Sequence, residues 1–186
     1  MARVIGSVGS PRKGGNTDTL VKAVLAGAAE EHAETCIYYL NDLSIRGCQA
    51  CEACKDEQAC AIDDDMKPIY KEIVEADGIV IGSPIYAAYF SGQTKLFIDR
   101  WYAFFDRDLA SWLPKGKRFA LIVTYGDEGD EVYNSAIEGL TAIVQLTSPA
   151  WLETLILSGT TDKDSAARNL DIMRRAHLLG QRLAGE

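Results

Sequence analysis

Residues 4–17 read Val4-Ile5-Gly6-Ser7-Val8-Gly9-Ser10-Pro11-Arg12-Lys13-Gly14-Gly15-Asn16-Thr17. The first five positions form a short, mostly apolar run, and the next nine a loop of glycines and polar side chains. Beyond them Leu20, Ala23, Val24, Gly27 and Ala28 recur at helical spacing, so the stretch predicts a strand, a loop and an amphipathic helix. The alternation continues outward. A strand at Cys36–Leu40 leads into a cysteine-rich loop, after which Asp63, Asp64 and Asp65 suit the N-terminus of a helix bearing Met66, Ile69, Tyr70, Ile73 and Val74. Ile79-Val80-Ile81 predicts a third strand, followed by a helix carrying Leu96, Phe97, Trp101, Phe104 and Phe105. A strand at Phe119–Val123, a helix from Glu131 to Leu146, a strand at Leu152–Leu157 and a helix from Asp164 to Leu183 complete the pattern. Strands this continuously apolar, alternating with helices, belong to a parallel sheet covered on both faces.

In such an open sheet, ligands bind at the carboxyl ends of the strands beside the topological switch point, which directs attention to the loops after the first, third and fourth strands. In the first, glycines free the backbone to wrap an anion, the following helix offers unpaired N–H groups, Ser10, Asn16 and Thr17 add hydroxyl and amide groups, and Arg12 adds charge. The order is neither that of a P-loop nor that of a Rossmann dinucleotide fingerprint, so a terminal phosphate suits it better. An ordinary turn capped by Asn16 or Thr17 is the alternative, and it leaves the arginine unexplained. The third strand ends in Gly82-Ser83-Pro84-Ile85-Tyr86, a rigid apolar exit able to lie along a planar ring system. The fourth ends in Thr124-Tyr125-Gly126-Asp127, a small flexible turn at the same edge.

The chain has 186 residues, 47% of them hydrophobic, and no linker-like stretch, which predicts one domain over 1–186. A formal net charge of -8, with lysines and arginines scattered, argues against a nucleic-acid partner. No apolar run approaches a membrane span and the chain enters its first strand without a signal-peptide run, so a cytoplasmic protein that does not enter the membrane is expected. Four of the five cysteines form the compact series Cys48-x-x-Cys51-x-x-Cys54-x5-Cys60 in a loop over 47–62. Four thiolates so placed can enclose an iron-sulfur cluster. A structural zinc usually takes two separated pairs, and a metal-free or oxidised thiol loop is the plain alternative. An odd cysteine count with one tight cluster points to a metal or redox site in a reducing compartment rather than a secreted disulfide framework. Cys36, outside the series, reads as a small core residue.

Four motifs then occur in a telling order: Gly9-Ser10-Pro11-Arg12 with Asn16-Thr17, the cysteine quartet before Asp64-Asp65-Met66, Gly82-Ser83-Pro84-Ile85-Tyr86, and Lys95-x-Phe97-x-Asp99-Arg100. Up to Gly126 the chain resembles the iron-sulfur flavoproteins of the flavodoxin-like, NADPH-dependent FMN reductase superfamily, and beyond it only the strand–helix pattern is shared. The resemblance implies a three-layer α/β sandwich with a five-stranded parallel sheet in order 2-1-3-4-5, FMN as prosthetic group, and a homodimer or homotetramer. It implies a [4Fe-4S] cluster on Cys48, Cys51, Cys54 and Cys60. Ser10, Arg12, Asn16 and Thr17 take the place of phosphate ligands, Pro84, Ile85 and Tyr86 flank the ring system, and Thr124, Tyr125 and Gly126 line its other side. Asp127, Glu128 and Asp130 depart from the pattern by putting negative charge nearby. Lys95 and Asp99-Arg100 read as an exposed ion pair beside a buried Phe97/Trp101 stripe. His32 and His177 fall outside the motifs, so no residue is assigned as acid or base.

The activity implied is electron transfer between a reduced donor, with NAD(P)H and ferredoxin both open, and a small-molecule or protein acceptor. An NAD(P)H-dependent FMN or quinone reductase without a cluster is the second reading. A non-enzymatic flavodoxin-like binding protein with a cysteine/zinc knuckle is the third.

Overall fold

The structure of the chain, a computed structural model, describes residues 1–148 and 151–185. The elements run β1 (Arg3–Val8), α1 (Asn16–Glu30), β2 (Glu34–Tyr39), α2 (Cys54–Glu57), α3 (Met66–Glu75), β3 (Gly78–Tyr86), β4 (Tyr89–Phe90), α4 (Gly92–Asp99), β5 (Arg118–Thr124), α5 (Asn134–Thr147), β6 (Leu152–Leu157), α6 (Ser165–Arg168) and α7 (Leu170–Ala184). Tight 3-10 turns occupy Leu40–Asp42 and Arg100–Phe104. Five strands form a parallel sheet in the order β2-β1-β3-β5-β6, and β4 pairs antiparallel with the end of β3. With β4 set aside this is the expected 2-1-3-4-5 order of a flavodoxin-like fold. Among the described residues no helix is long and apolar enough to cross a membrane.

Successive residues of the central strands point to opposite faces, as the two-residue period of a strand requires. Ile79, Ile81, Phe119, Leu121 and Val123 enter one apolar cluster with Met66, Ile69 and Ile73 of α3, Phe97 of α4 and Leu140 of α5. Val80, Ala120 and Ile122 enter the other with Leu20 and Val24 of α1 and Ile172 and Leu179 of α7. Strands buried on both sides have no polar face, hence the continuously apolar runs in the sequence.

Three elements differ from the sequence pattern. The sixth strand arises because β3 runs on through Pro84 to Tyr86, where Ala87 and Ala88, at φ of 49° and 64°, fold the chain back in a two-residue hairpin. The helix expected to carry Phe104 and Phe105 ends at Asp99 and tightens into the 3-10 turn, which keeps Trp101 and Phe104 facing inward. The last helix divides at Asn169, whose side-chain oxygen accepts from the Ile172 N–H at 3.1 Å and starts α7 afresh.

On the α1 side the helices meet backbone to backbone. A Cβ on Gly180 would stand 1.8 Å from the Val24 carbonyl, and one on Gly27 would stand 1.9 Å from that of His177. Gly180→Ala is therefore expected to lower stability by about 1–3 kcal/mol through overpacking. Urea unfolding checks this: the midpoint falls with little change in slope, whereas an unchanged midpoint would show that the helices separate freely.

Candidate functional site

The loops at the carboxyl edge of the sheet close around one cleft. Ser10, Arg12, Asn16 and Thr17 line it from the β1–α1 loop, and Pro84, Ile85 and Tyr86 from the end of β3. Thr124, Tyr125 and Gly126 line it from the end of β5. All ten nominated residues therefore share one wall system, joined by Thr160, Asp162 and Lys163 of the β6–α6 loop, which the sequence reading passed over. The signal for those three was the topology itself, since the loop after the fifth strand leaves at the same edge as the others.

The start of α1 carries no side-chain cap. Gly15, extended at φ -85°, occupies the N-cap and no side chain caps the helix, so neither Asn16 nor Thr17 satisfies the leading N–H groups. Gly14 takes a left-handed φ of 69°, and its N–H donates to Asp18 Oδ2 at 2.6 Å. Asp18 is fully buried, but Lys22 Nζ at 3.0 Å and the Tyr39 hydroxyl at 3.1 Å also donate to its carboxylate. Asn16 turns sideways: its Nδ2 donates to the Asp162 carbonyl at 2.7 Å and its Oδ1 accepts from the Ala166 N–H at 2.8 Å. Thr17 and Thr124 share a buried hydroxyl–hydroxyl bond of 2.8 Å that ties α1 to β5. Arg12 is exposed and, among the described residues, pairs with no carboxylate.

Beneath the cleft lies a buried hydroxyl cluster that the sequence did not reveal. Ser91 Oγ donates to the Gly9 carbonyl at 2.8 Å, Thr94 Oγ1 donates to Ser83 Oγ at 2.9 Å, and Ser83 Oγ donates to the Pro84 carbonyl at 2.9 Å. It joins the β1 loop, the β3 exit and the first turn of α4. Gly9 must lack a side chain here, since a Cβ would sit 1.8 Å from Thr94 Oγ1. In the β5 loop the Tyr125 ring is buried and its hydroxyl donates to the Gly129 carbonyl at 3.0 Å. Asp127, Glu128 and Asp130 do not line the cleft: Tyr133 donates to Asp127, and Ser158 Oγ donates to Asp130 at 2.7 Å.

The four clustered cysteines surround a second, smaller cavity together with Arg100, Ile62 and Tyr102. Cys48 and Cys51 are exposed, Cys54 is buried and Cys60 half-buried, and all five cysteines of the chain are free thiols. Among the described residues no three cysteine, histidine or acidic side chains are drawn close enough to hold a metal ion. Left-handed turns at Ala50, Glu52 and Gln58 wind the loop around the cavity. Lys55 pins it from below, donating from Nζ to the carbonyls of Tyr102 and Phe105 at 2.8 Å each while lying over the Tyr102 ring. Burial pushes the Cys54 thiol up against the pull of Lys55, and Cys60 and Cys48 push it further.

Arg100 departs from its expected place on an exposed ion pair. Lys95 and Asp99 do pair on the surface, but Arg100 is only 1% exposed. Its Nη1 donates to Asp64 Oδ2 at 2.6 Å and to the Arg46 carbonyl at 2.9 Å, and its Nη2 donates to Cys60 Sγ at 3.2 Å. Asp64 in turn accepts from the N–H groups of Arg46 at 2.9 Å and Met66 at 3.1 Å, so one carboxylate clasps both ends of the cysteine loop. Burial alone would raise the Asp64 carboxyl, but the Arg100 bond and the two backbone donors outweigh it and hold it below the ordinary range.

A parallel sheet in this order, with its chemistry gathered at the carboxyl edge, defines a flavodoxin-like protein. The NADPH-dependent FMN reductase family matches residues 2–150, and the chain belongs to that family. It is 46% identical over 98 residues to an iron-sulfur flavoprotein of Methanocaldococcus jannaschii, a match covering 53% of this chain and 51% of the relative. To an iron-sulfur flavoprotein of Methanosarcina thermophila it is 39% identical over 119 residues, 64% of this chain and 57% of the relative. The chain thus spans about half the length of the curated relatives it matches. An FMN-dependent NADH-azoreductase of Bacillus anthracis, solved in complex with FMN, shares the fold over 100% of both chains with a TM-score of 0.73 at 15% identity.

Removing the clasp should be costly. Asp64→Ala leaves Arg100 buried without a carboxylate, and a loss of about 3–5 kcal/mol is expected in urea unfolding. The depressed Asp64 carboxyl gives a contribution that is complete above its unfolded value of about 4 and fades as pH falls through the lower folded value. An Asp64→Asn chain is accordingly expected to lose less stability on acidification than the parent, and equal acid sensitivity would remove Asp64 from the account.

Proposed function

We propose that the protein is an FMN-dependent oxidoreductase that moves electrons between a reduced donor and an acceptor, with FMN in the carboxyl-edge cleft and a [4Fe-4S] cluster on Cys48, Cys51, Cys54 and Cys60. The observation that carries the reading is the place of α4. Its first turn reaches Gly9 through Ser91 and, through Thr94 and Ser83, Pro84 of the cleft, and the residue after its last, Arg100, donates to Cys60. Eight residues of helix, about 12 Å, separate those ends.

Both residue sets suit their groups. The cleft offers an uncapped helix start and an unpaired Arg12 for a phosphate, and the Pro84-Ile85-Tyr86 wall for a flat ring. The cysteine cavity offers four free sulfurs and one charged N–H donor. When bound, FMN exchanges a hydride or single electrons and a cluster exchanges single electrons, so the pair links two-electron to one-electron partners. The chain's own part is placement. Arg12 and the α1 amides orient the phosphate, the Thr17–Thr124 bond keeps two walls of the cleft in register, and Arg100 holds Cys60 against the loop.

The family description supports NAD(P)H as donor, with a small molecule or redox protein as acceptor. The whole chain, 1–186, would act as a single FMN-binding domain in the cytoplasm. Partly exposed Tyr86, Tyr89, Leu96 and Ile143 suit assembly into a homodimer or homotetramer. A second reading, an NAD(P)H-dependent FMN or quinone reductase with four free thiols, draws on the open spacing of the cysteine side chains.

Anaerobic isolation followed by iron, sulfide and flavin analysis tests the proposal. About four irons per chain and one FMN are expected, with Cys60→Ala losing iron while retaining flavin. FMN without iron would favour the second reading, and a chain that takes up neither would sink both.

A further inference from the structure

We infer that Lys163 is a second phosphate-binding cation of the cleft, carried in from the β6–α6 loop and held in place by Asn16; the inference rests on the reading of the cleft as an FMN site. Lys163 lines the same cleft as Ser10, Arg12 and Thr17, although 146 residues separate it from Thr17. Its ammonium lies over the glycine turn, 3.8 Å from where a Cβ on Gly14 would stand.

The charges around it are arranged to leave it free. Asp162 and Asp164, its neighbours in sequence, would be the natural partners, but both are taken by Arg168, whose Nη2 lies 2.6 Å from Asp162 and whose Nη1 lies 3.0 Å from Asp164. Among the described residues Lys163 forms no ion pair. In a chain of net charge -8, Arg12 and Lys163 are thus two uncompensated cations facing one polar cleft.

Asn16 explains how a lysine on an exposed loop comes to be there. Its amide group grips the loop on both sides of Lys163, at the Asp162 carbonyl and the Ala166 N–H. Ser165 stiffens the turn between them, its Oγ accepting from the Asp162 N–H at 3.2 Å and donating to the Asp162 carbonyl at 3.0 Å. Asn16 is in this account a positioning residue.

The chemistry asks for two cations. A phosphate monoester carries about 1.5 to 2 negative charges at neutral pH, more than Arg12 alone can neutralise. Arginine fixes a phosphate in direction, whereas lysine acts as a compact point charge that adds attraction with little demand on geometry. The two side chains come from opposite ends of the sequence and line the same cleft.

Comparing FMN with riboflavin, which lacks the phosphate, isolates the effect. Flavin-free protein is titrated with each ligand by fluorescence quenching, for the parent, Lys163→Met, Lys163→Arg, Asn16→Ala and the Asn16→Ala/Lys163→Met double variant. Lys163→Met is expected to weaken FMN about ten- to a hundredfold, the worth of one charge-assisted contact. Riboflavin affinity should be unchanged, Lys163→Arg should restore most of the loss, and added salt should narrow the gap between parent and variant. The double variant should bind FMN no worse than the more severe single one, because Asn16 acts through Lys163. Equal FMN affinity in parent and Lys163→Met would overturn the inference and leave the cleft assignment standing. A parent that binds neither flavin would overturn both. Equal losses for FMN and riboflavin would make Lys163 a structural residue and reject its role toward phosphate.

Discussion

Buried polar groups have to find partners, and at both ends of α4 that requirement decides where the neighbouring loops can go. At its start, three hydroxyls and two carbonyls satisfy one another: Ser91 binds Gly9, Thr94 binds Ser83, and Ser83 binds Pro84. At its end, Arg100 needs a carboxylate and finds Asp64, drawing the cysteine loop down onto the helix. Each pairing matters because in a low-dielectric interior a missing partner leaves a costly orphan; Arg100 Nε and Trp101 Nε1 are such orphans, both buried without a partner among the described residues. From within the helix Phe97 packs edge to face on Trp101 of the following 3-10 turn, and Trp101 on Phe104, which keys the helix to the core. The distance between the two cavities is therefore set by a helix that has little freedom to slide.

Electrostatics follows the same plan of local compensation in an acidic chain. Where a carboxylate would spoil the cleft it is neutralised nearby: Asp18 by Lys22, and Asp162 and Asp164 by Arg168. Asp127 accepts from Tyr133 in its own loop and Asp130 from Ser158 of the β6–α6 loop, and neither carboxylate lines the cleft. The sulfur cavity shows the converse arrangement, with Arg100 and Lys55 placing positive charge on its buried side. A centre enclosed by four thiolates is strongly anionic, and hydrogen bonds and charges beside its sulfurs are among the factors that set its potential.

Most of the sheet could be read directly, because strands buried on both faces admit almost nothing but apolar side chains. Ile79-Val80-Ile81 and Phe119–Val123 announce themselves by composition. The loop after β1 was legible too, because glycines ahead of a helical period mark where a strand ends and a helix begins. Less legible were features in which the same residue type can serve either solvent or interior. Arg100 next to Asp99 in sequence looks like a surface pair, and only the approach of Asp64 from 36 residues away makes it a buried clasp. Asn16 looks like a cap or an anion ligand, and its amide instead grips a loop some 150 residues distant.

What the amino-acid order settled by itself was local and periodic: the strand and helix alternation, the parallel sheet, the clustering of four thiols and the glycine turn between β1 and α1. These depend on neighbours a few positions apart, which any chain carries with it before folding. What the tertiary structure alone decided were the pairings across the sheet edge: Lys163 over Gly14, Gly9 against Thr94, and Asp64 beneath Arg100. The physical reason is that a hydrogen bond or ion pair between distant residues leaves no periodic trace in sequence. It exists only once loop closure and core packing have brought the partners within reach.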